Sequence, residues 1–320
     1  MLSVVRNNRR AAIAVIVAAV MLALSWWRSP VSHRPSTAFT VSAVAIPVPE
    51  AASPVTVTDI WDIDGSGAGF GGFSALIAMP GGQLRSFSDR GWRFTFVLSE
   101  QGPQDFATAQ VIPADGYSSR LFDIESATPS PDGEAYWLSY EATHAVHRFG
   151  ADDVPQEVRD LSDDMDWPDN SGIEAMVRFA DGRFLVFPEV GPLGHVFASD
   201  PTEGSAIRPF RVDWPEEGYS PTDAAQLPDG RVLVLLRRFS MTPLPTFESL
   251  IVIGEVPQPG QVWEPEVFAQ LDELLPPENY EGLAVRPLAD GSSELWLISD
   301  DNFSAFQRTL LARLIYAPEG

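Results

Sequence analysis

Carboxylates recur along this chain at a near-constant interval, each beside a short apolar run. Glu125 follows Asp123-Ile124, Glu174 follows Gly172-Ile173, Asp223 follows Thr222, and Glu281 precedes Gly282. A fifth segment, Phe73-Ser74-Ala75-Leu76, has the same setting with Ser74 in the acidic place. Each segment leads to a glycine turn and then to a second apolar run that ends in charge: Ser88-Asp89-Arg90, Glu141, Glu189, Arg237-Arg238 or Asp300-Asp301. Carboxylate oxygens in such numbers are hard ligands of the kind Ca²⁺ takes. The expected metal set is Asp89, Glu125, Glu141, Glu174, Glu189, Asp223, Glu281 and Asp300. Glu125, Glu174, Asp223 and Glu281 are the expected catalytic residues, holding the ion or acting as base. Arg90 and Arg238 are expected to clamp an anionic group bidentately. His147 joins them, because on a continuous strand it would share a face with Glu141. The competing reading is plain: the arginines pair with neighbouring acids, and the acidic corners cap strand ends.

These residues meet only if the chain is a closed repeat. The anchors Ser74, Glu125, Glu174, Asp223 and Glu281 are spaced by 51, 49, 49 and 58 residues. A period near 50 marks a propeller or a solenoid. The turns Pro80-Gly81-Gly82, Pro131-Asp132-Gly133, Asp181-Gly182, Pro228-Asp229-Gly230 and Asp290-Gly291 are hairpin signals, since glycine supplies the positive φ they need. The runs between them are short, aliphatic and aromatic, as strands are. Closing such units in a ring protects their edges. The expected fold is an all-β propeller of five or six blades, with five visible repeats, preceded by an N-terminal hydrophobic helix. If the anchors lie on the innermost strands, their carboxylates converge on the axis.

Composition removes several chemistries. The 320 residues contain no cysteine and no lysine, which excludes disulfides, a thiol nucleophile, Schiff-base chemistry and a P-loop. There is no G-x-S-x-G elbow and no histidine pair with zinc spacing. The formal charge is −23; five arginines and no acid stand in the first 49 residues, so the rest carries −28. Such a surface repels nucleic acid and anionic lipid.

Three arginines precede the apolar run Ala11–Trp27, which Trp26-Trp27 and Arg28 close. Residues 1–28 are read as a signal peptide or a retained membrane anchor, with the bulk of the chain periplasmic or otherwise outside the cytoplasm. Residues 29–54 are read as a Pro/Ser/Ala-rich linker, and residues 55–320 as one propeller domain. Two further acidic stretches are candidate cation loops: Asp59-x-x-Asp62-x-Asp64-Gly65, and Asp163-Asp164-x-Asp166-x-x-Asp169-Asn170. Each is equally a turn or a solvated loop.

Taken in order, several short motifs resemble the phytase-like family, described as "esterase-like activity of phytase". They are Gly71-Gly72-Phe73-Ser74 with Ser88-Asp89-Arg90-Gly91, then Asp123-Ile124-Glu125 with Ser139-Tyr140-Glu141, then Asn170–Glu174. Asp229-Gly230-Arg231 with Leu235–Phe239, Glu281–Ala284 and Ser299–Asn302 with Gln307-Arg308-Thr309 complete the set. The resemblance implies an exported bacterial propeller with phosphoesterase or esterase activity. The chain departs from the family pattern at Glu125-Ser126 and Glu174-Ala175, where Glu-Gly is usual, and at Leu236-Arg237-Arg238, where Leu-Glu-Arg is usual. Two functions stand side by side: a Ca²⁺-dependent hydrolase of a phosphate or carboxylate ester, and a non-catalytic envelope propeller that binds a ligand or protein. A sugar-lactone hydrolase is a third.

Overall fold

The computed structural model describes residues 38–318, apart from 50, 68, 100, 112–122, 166, 169–170 and 242–244. The apolar run Ala11–Trp27, and its reading as signal or anchor, lie outside the described residues. Among the described residues no helix is long and apolar enough to cross a membrane.

The described strands form five antiparallel blades of a β-propeller. From the inside outward, blade one consists of Phe73–Met79, Gln83–Ser88, Trp92–Ser99 and Gly102–Gln110. Blade two consists of Ile124–Pro129, Ala135–Tyr140, Ala145–Gly150 and Pro155–Asp160. Blade three has Ile173–Arg178, Phe184–Pro188, Leu193–Phe197 and Ile207–Val212, with the short strand Val262–Trp263 added in parallel at its edge. Blade four runs Ser220–Gln226, Val232–Ser240, Thr246–Gly254 and Glu266–Gln270. Blade five joins both ends of the fold: Asn279–Pro287, Ser293–Asp300 and Thr309–Tyr316 from the C-terminal side, then Val55–Ser66 and Ala38–Ala43. Residues 38–43, inside the stretch read as linker, therefore form the outermost strand of a blade. The strand Val55–Ser66 also takes up Asp59, Asp62 and Asp64, whose spacing had the look of a calcium loop. They stand on extended backbone facing Arg313, Arg308 and Thr40.

The second strands are buried on both faces. Ala135–Tyr140, Phe184–Pro188 and Ser293–Asp300 are buried at every position, which is why they read as unbroken apolar runs. The apolar core divides into five clusters, one between each pair of neighbouring blades. Leu235 and Leu297 meet in the cluster between blades four and five, and Phe73 and Trp296 in the one that joins five to one. Hydrogen bonds cross the same seams near the axis: Ser74 Oγ donates to the carbonyl of Ile124, and Ser139 Oγ to that of Ile173 at 2.8 Å.

Asp223 clasps three blades at the centre. From blade four, its Oδ2 accepts from Leu283 N of blade five at 2.7 Å and from Leu76 N of blade one at 3.3 Å. Its Oδ1 accepts from Ala224 N at 2.8 Å, and the side chain is wholly buried. Gly282 makes room for this junction, since a Cβ there would lie 2.8 Å from Leu76 Cβ and 3.0 Å from Leu76 N. Replacing Asp223 by Ala strands buried amides, each worth about 1–3 kcal/mol. Asp223→Ala is expected to lose about 3 kcal/mol of unfolding free energy in urea; a loss below about 1 kcal/mol would show that the clasp is dispensable.

Candidate functional site

Every inner strand carries a bulge at the same place. The ladder register shifts between Phe73 and Ala75, Ile124 and Ser126, Ile173 and Ala175, Pro221 and Asp223, and Tyr280 and Gly282. A bulge re-aims the extra residue, here Ser74, Glu125, Glu174, Thr222 and Glu281. Opposite each, the second strand pairs Ser88, Tyr140, Pro188, Leu236 or Ser299 with the residue before the bulge. The next residue on that strand side is Asp89, Glu141, Glu189, Arg237 or Asp300. All ten line one cavity of about 220 Å³, together with Gly72 and Asn302. The cleft therefore holds seven carboxylates, one guanidinium and two hydroxyls, in two staggered sets of five.

The sequence reading places most of these residues and misplaces four. Asp223 does not line the cleft. The bulge in blade four falls one residue earlier, so Thr222 takes the anchor position and Asp223 points into the clasp. Arg238 also faces away: it pairs with Glu248 through Nε at 3.0 Å and stacks over Tyr219 at 4.4 Å. His147 is wholly buried inside blade two, against Tyr140 and Phe149. The face-sharing argument for it fails because Glu141 is not on its strand. Glu141–Thr143 is a 3₁₀ turn, closed by His144 at a φ of 46°, and the next strand starts at Ala145. Arg90 stands behind the cleft wall, its guanidinium 3.2 Å from the centre of the Phe303 ring. The acids Asp166 and Asp169 lie outside the described residues, while Asp164 pairs with Arg159 at 2.8 Å.

Two residues of the cleft lining, Thr222 and Arg237, and two beside it, Asp123 and Asn279, were not expected as site residues. Asp123 lies one step before Ile124, and its carboxylate approaches those of Glu125 and Glu141. Its place in the Asp-Ile-Glu motif was the available signal. Thr222 is hidden by its acidic neighbour. Arg237 occupies the place of Asp89 and Glu141, which only the register reveals. Asn279 holds Glu281, its Nδ2 donating to Oε1 at 2.8 Å, while Arg237 Nη1 donates to Asn279 Oδ1 at 2.8 Å and to the same Glu281 oxygen.

Two carboxylate triads overlap at Glu141. One is Asp123, Glu125 and Glu141; the other is Glu141, Glu174 and Glu189, and in each triad one oxygen per residue lies within 4.8 Å of the others. Gly172 permits this approach, because a Cβ on it would lie 2.9 Å from Glu141 Cα. Burial is the main force on these groups, and mutual repulsion adds to it. Desolvation, then Glu174 and Glu281, push Glu125 well above the usual carboxylate range. Desolvation, then Glu189 and Glu141, do the same to Glu174, against the pull of Arg237. Asp300 is raised by burial, Glu281 and Asp89. Glu141 is pushed up to about 7 by desolvation and by Asp123, and Asp89 to about 7 by desolvation against the pull of Arg90.

The opposite mouth of the axial channel is different in kind. It is a cavity of about 720 Å³ walled largely by apolar residues, among them Ala78, Ala127, Val177, Ala225 and Val285. Leu76 and Leu283, held by the Asp223 clasp, stand in its lining too.

The raised carboxyls fix a pH dependence. In the unfolded chain these groups titrate near 4, whereas folded Glu141 and Asp89 titrate at about 7. The folded state thus holds more protons across that window, so this contribution to stability is full below about pH 4 and is lost as pH rises through 7. The melting temperature of chelator-treated protein is expected to fall from pH 5 to pH 8. A flat profile in chelator would show that the cleft carboxyls titrate normally.

Comparison with known proteins bears on this geometry. Among solved structures, an uncharacterised protein from Bacteroides thetaiotaomicron is 11% identical, with 88% of this chain and 76% of that one covered and a TM-score of 0.45. Virginiamycin B lyase from Staphylococcus aureus is 10% identical, with 87% and 99% covered and a TM-score of 0.40. The hydrazine synthase of Kuenenia stuttgartiensis is 13% identical at a TM-score of 0.37; 71% of this chain matches, and it spans 56% of that protein's length. A search of curated proteins returns no significant match. A family model described as "Phytase-like: Esterase-like activity of phytase" matches residues 68–303, which span every inner strand and every cleft residue. The chain belongs to the phytase-like family.

Proposed function

We propose that the axial cleft binds Ca²⁺ and hydrolyses a small phosphate or carboxylate ester. The observation that carries this reading is the convergence of seven carboxylates from four blades on one 220 Å³ cleft that holds a single guanidinium. The donor set fits the ion. Ca²⁺ takes six to eight oxygens at about 2.3–2.6 Å, so oxygens across such an ion stand about 5 Å apart, the scale of both triads. A hard cation would also relieve the repulsion and desolvation that push these carboxyls upward.

Asp123, Glu125, Glu141, Glu174 and Glu189 would hold the ion, with Glu141 common to both triads. Bound there, Ca²⁺ supplies Lewis-acid polarisation of the ester and a more acidic water. Among the described residues the cleft lining offers no nucleophile paired with a base. The Ser74 hydroxyl donates to Ile124 O, the Thr222 hydroxyl donates to Leu235 O at 3.4 Å, and no histidine lines the cleft. Water is therefore the attacking group in this reading. Glu281 is its base: Oε1 is fixed by Arg237 and Asn279, which leaves Oε2 to take the proton. The cleft volume limits the reacting portion of the ligand to a few heavy atoms, with any larger remainder outside the mouth.

The test begins with Ca²⁺ titration of the folded protein by calorimetry and melting. A ligand that binds only the folded state raises stability by about 2.7 kcal/mol at one hundred times its Kd. A saturable rise is expected, with affinity reduced at least ten-fold in Glu141→Gln. Hydrolysis of p-nitrophenyl phosphate or p-nitrophenyl acetate should then depend on Ca²⁺ and fall at least a hundred-fold in Glu281→Gln, with Ca²⁺ affinity kept within a few-fold. No shift at millimolar Ca²⁺ would remove the cation from this reading. Ca²⁺ binding with neither ester cleaved would turn it to the non-catalytic ligand-binding propeller.

A further inference from the structure

Blade four breaks the pattern of the other blades at the cleft. At the bulge and at the facing second-strand position, blades two and three present Glu125 with Glu141 and Glu174 with Glu189. Blade five presents Glu281 with Asp300, and blade one Ser74 with Asp89. Blade four presents Thr222 with Arg237. Among the described residues Arg237 is thus the one guanidinium in the cleft lining, at a position where every other blade has a carboxylate. Its side chain is about a quarter exposed, and its Nη1 reaches Glu281 and Asn279 of blade five. Arg237 is also the cation that lowers Glu174 across the cleft.

We propose that Arg237 is a built-in cation, standing where the geometry would otherwise call for a metal ion between blades four and five. This inference rests on the reading of the cleft as a Ca²⁺ centre, and it adds that the chain has replaced part of that centre by a side chain. The five carboxylates of blades two and three face one another without a base among them, so ion binding is confined to that half. On the other side Glu281 is within ion-pair reach of Arg237, and Asp300 stands in the field of the same guanidinium. An arginine supplies that partner permanently, at a fixed place and independently of calcium concentration. Nη1 carries two N–H groups and donates to both Asn279 Oδ1 and Glu281 Oε1, so the guanidinium organises blade-five oxygens that would otherwise surround an ion. One side of the cleft is therefore countered by the fold's own guanidinium, and the other is left to what the solution provides.

Two substitutions test this without reading activity. Arg237→Glu completes the carboxylate pattern and removes the internal cation, so calorimetry is expected to find one more Ca²⁺ per chain than in the unsubstituted protein. Arg237→Gln removes only the charge. Its melting temperature is expected to drop in chelator and to recover in millimolar Ca²⁺, so that the difference between the two conditions is at least twice that of the unsubstituted protein. An unchanged stoichiometry in folded Arg237→Glu would overturn the proposal. So would an unchanged chelator sensitivity in Arg237→Gln, which decides alone if the glutamate variant does not fold. If the unsubstituted protein binds no Ca²⁺ while Arg237→Glu binds one, the role of Arg237 stands and the Ca²⁺ reading of the present cleft falls.

Discussion

Seven carboxylates facing one another across a few ångströms of partly desolvated space repel strongly, and everything else in this propeller exists against that repulsion. At an effective dielectric near 20, two charges 4 Å apart cost about 4 kcal/mol. No local segment would tolerate such company. The five apolar clusters between blades tolerate it because each locks the strands of two neighbouring blades together, so none can yield without opening the ring. Closure of blade five by Val55–Ser66 against Thr309–Tyr316 removes the last place where the ring could relax. The carboxylate triads are thus held from outside, by hydrophobic packing, and attraction within the site is centred on Arg237, Asn279 and Glu281.

The same division explains what the sequence made legible. The repeat was readable because each blade must bury its second strand on both faces and must turn at glycine, and both demands leave marks at fixed intervals. Glu125, Glu141, Glu174, Glu189, Glu281, Asp89 and Asp300 were readable for the same reason: each stands at a fixed step from a buried run, the first, third and fifth before one and the others at the end of one. A bulge leaves no such mark. It adds a residue without changing composition, so the acid at 223 hid the threonine at 222, and a one-residue offset turned a central clasp into an imagined ligand. Strand alternation misled at His147, because the short 3₁₀ turn at Glu141 ends one strand before the histidine begins its own. Arg238 was favoured over Arg237 although alternation allows only one of two adjacent residues to face the axis. Choosing between them needed the register.

Asp223 and the cleft acids show how one residue type serves opposite ends. Burial raises the carboxyl of Asp223 well above its usual range, and the amides of Leu283, Ala224 and Leu76 pull against it. Those amides are backbone groups that the fold cannot withdraw, so the clasp is self-sufficient. Glu125, Glu141 and Glu174 have other carboxylates as their main charged neighbours and are left to protons or to a cation. The glycines follow this logic. Gly282 admits the clasp and Gly172 admits Glu141, so each marks a place where a carboxylate system needs another backbone close by. Where the family pattern has Glu-Gly, the chain has Ser126 and Ala175, side chains that are fully buried in blades two and three. Blade five alone keeps the glycine, because there the inner strand of blade one comes within contact distance of it.

A net charge of −28 on the residues beyond the first 49 bears on the order of events in the proposed reaction. A phosphate or carboxylate group approaching this surface meets repulsion at a distance and a further concentration of negative charge at the axial mouth. One arginine, already engaged by Glu281, does not reverse that field. An anionic ligand therefore has favourable electrostatics only after a cation has entered. A neutral ester is under no such constraint and meets the carboxylates as hydrogen-bond acceptors. Dependence on a prior cation thus separates the two classes of ester by charge rather than by shape. The absence of lysine around the cleft makes that separation sharper than in a site lined with flexible bases.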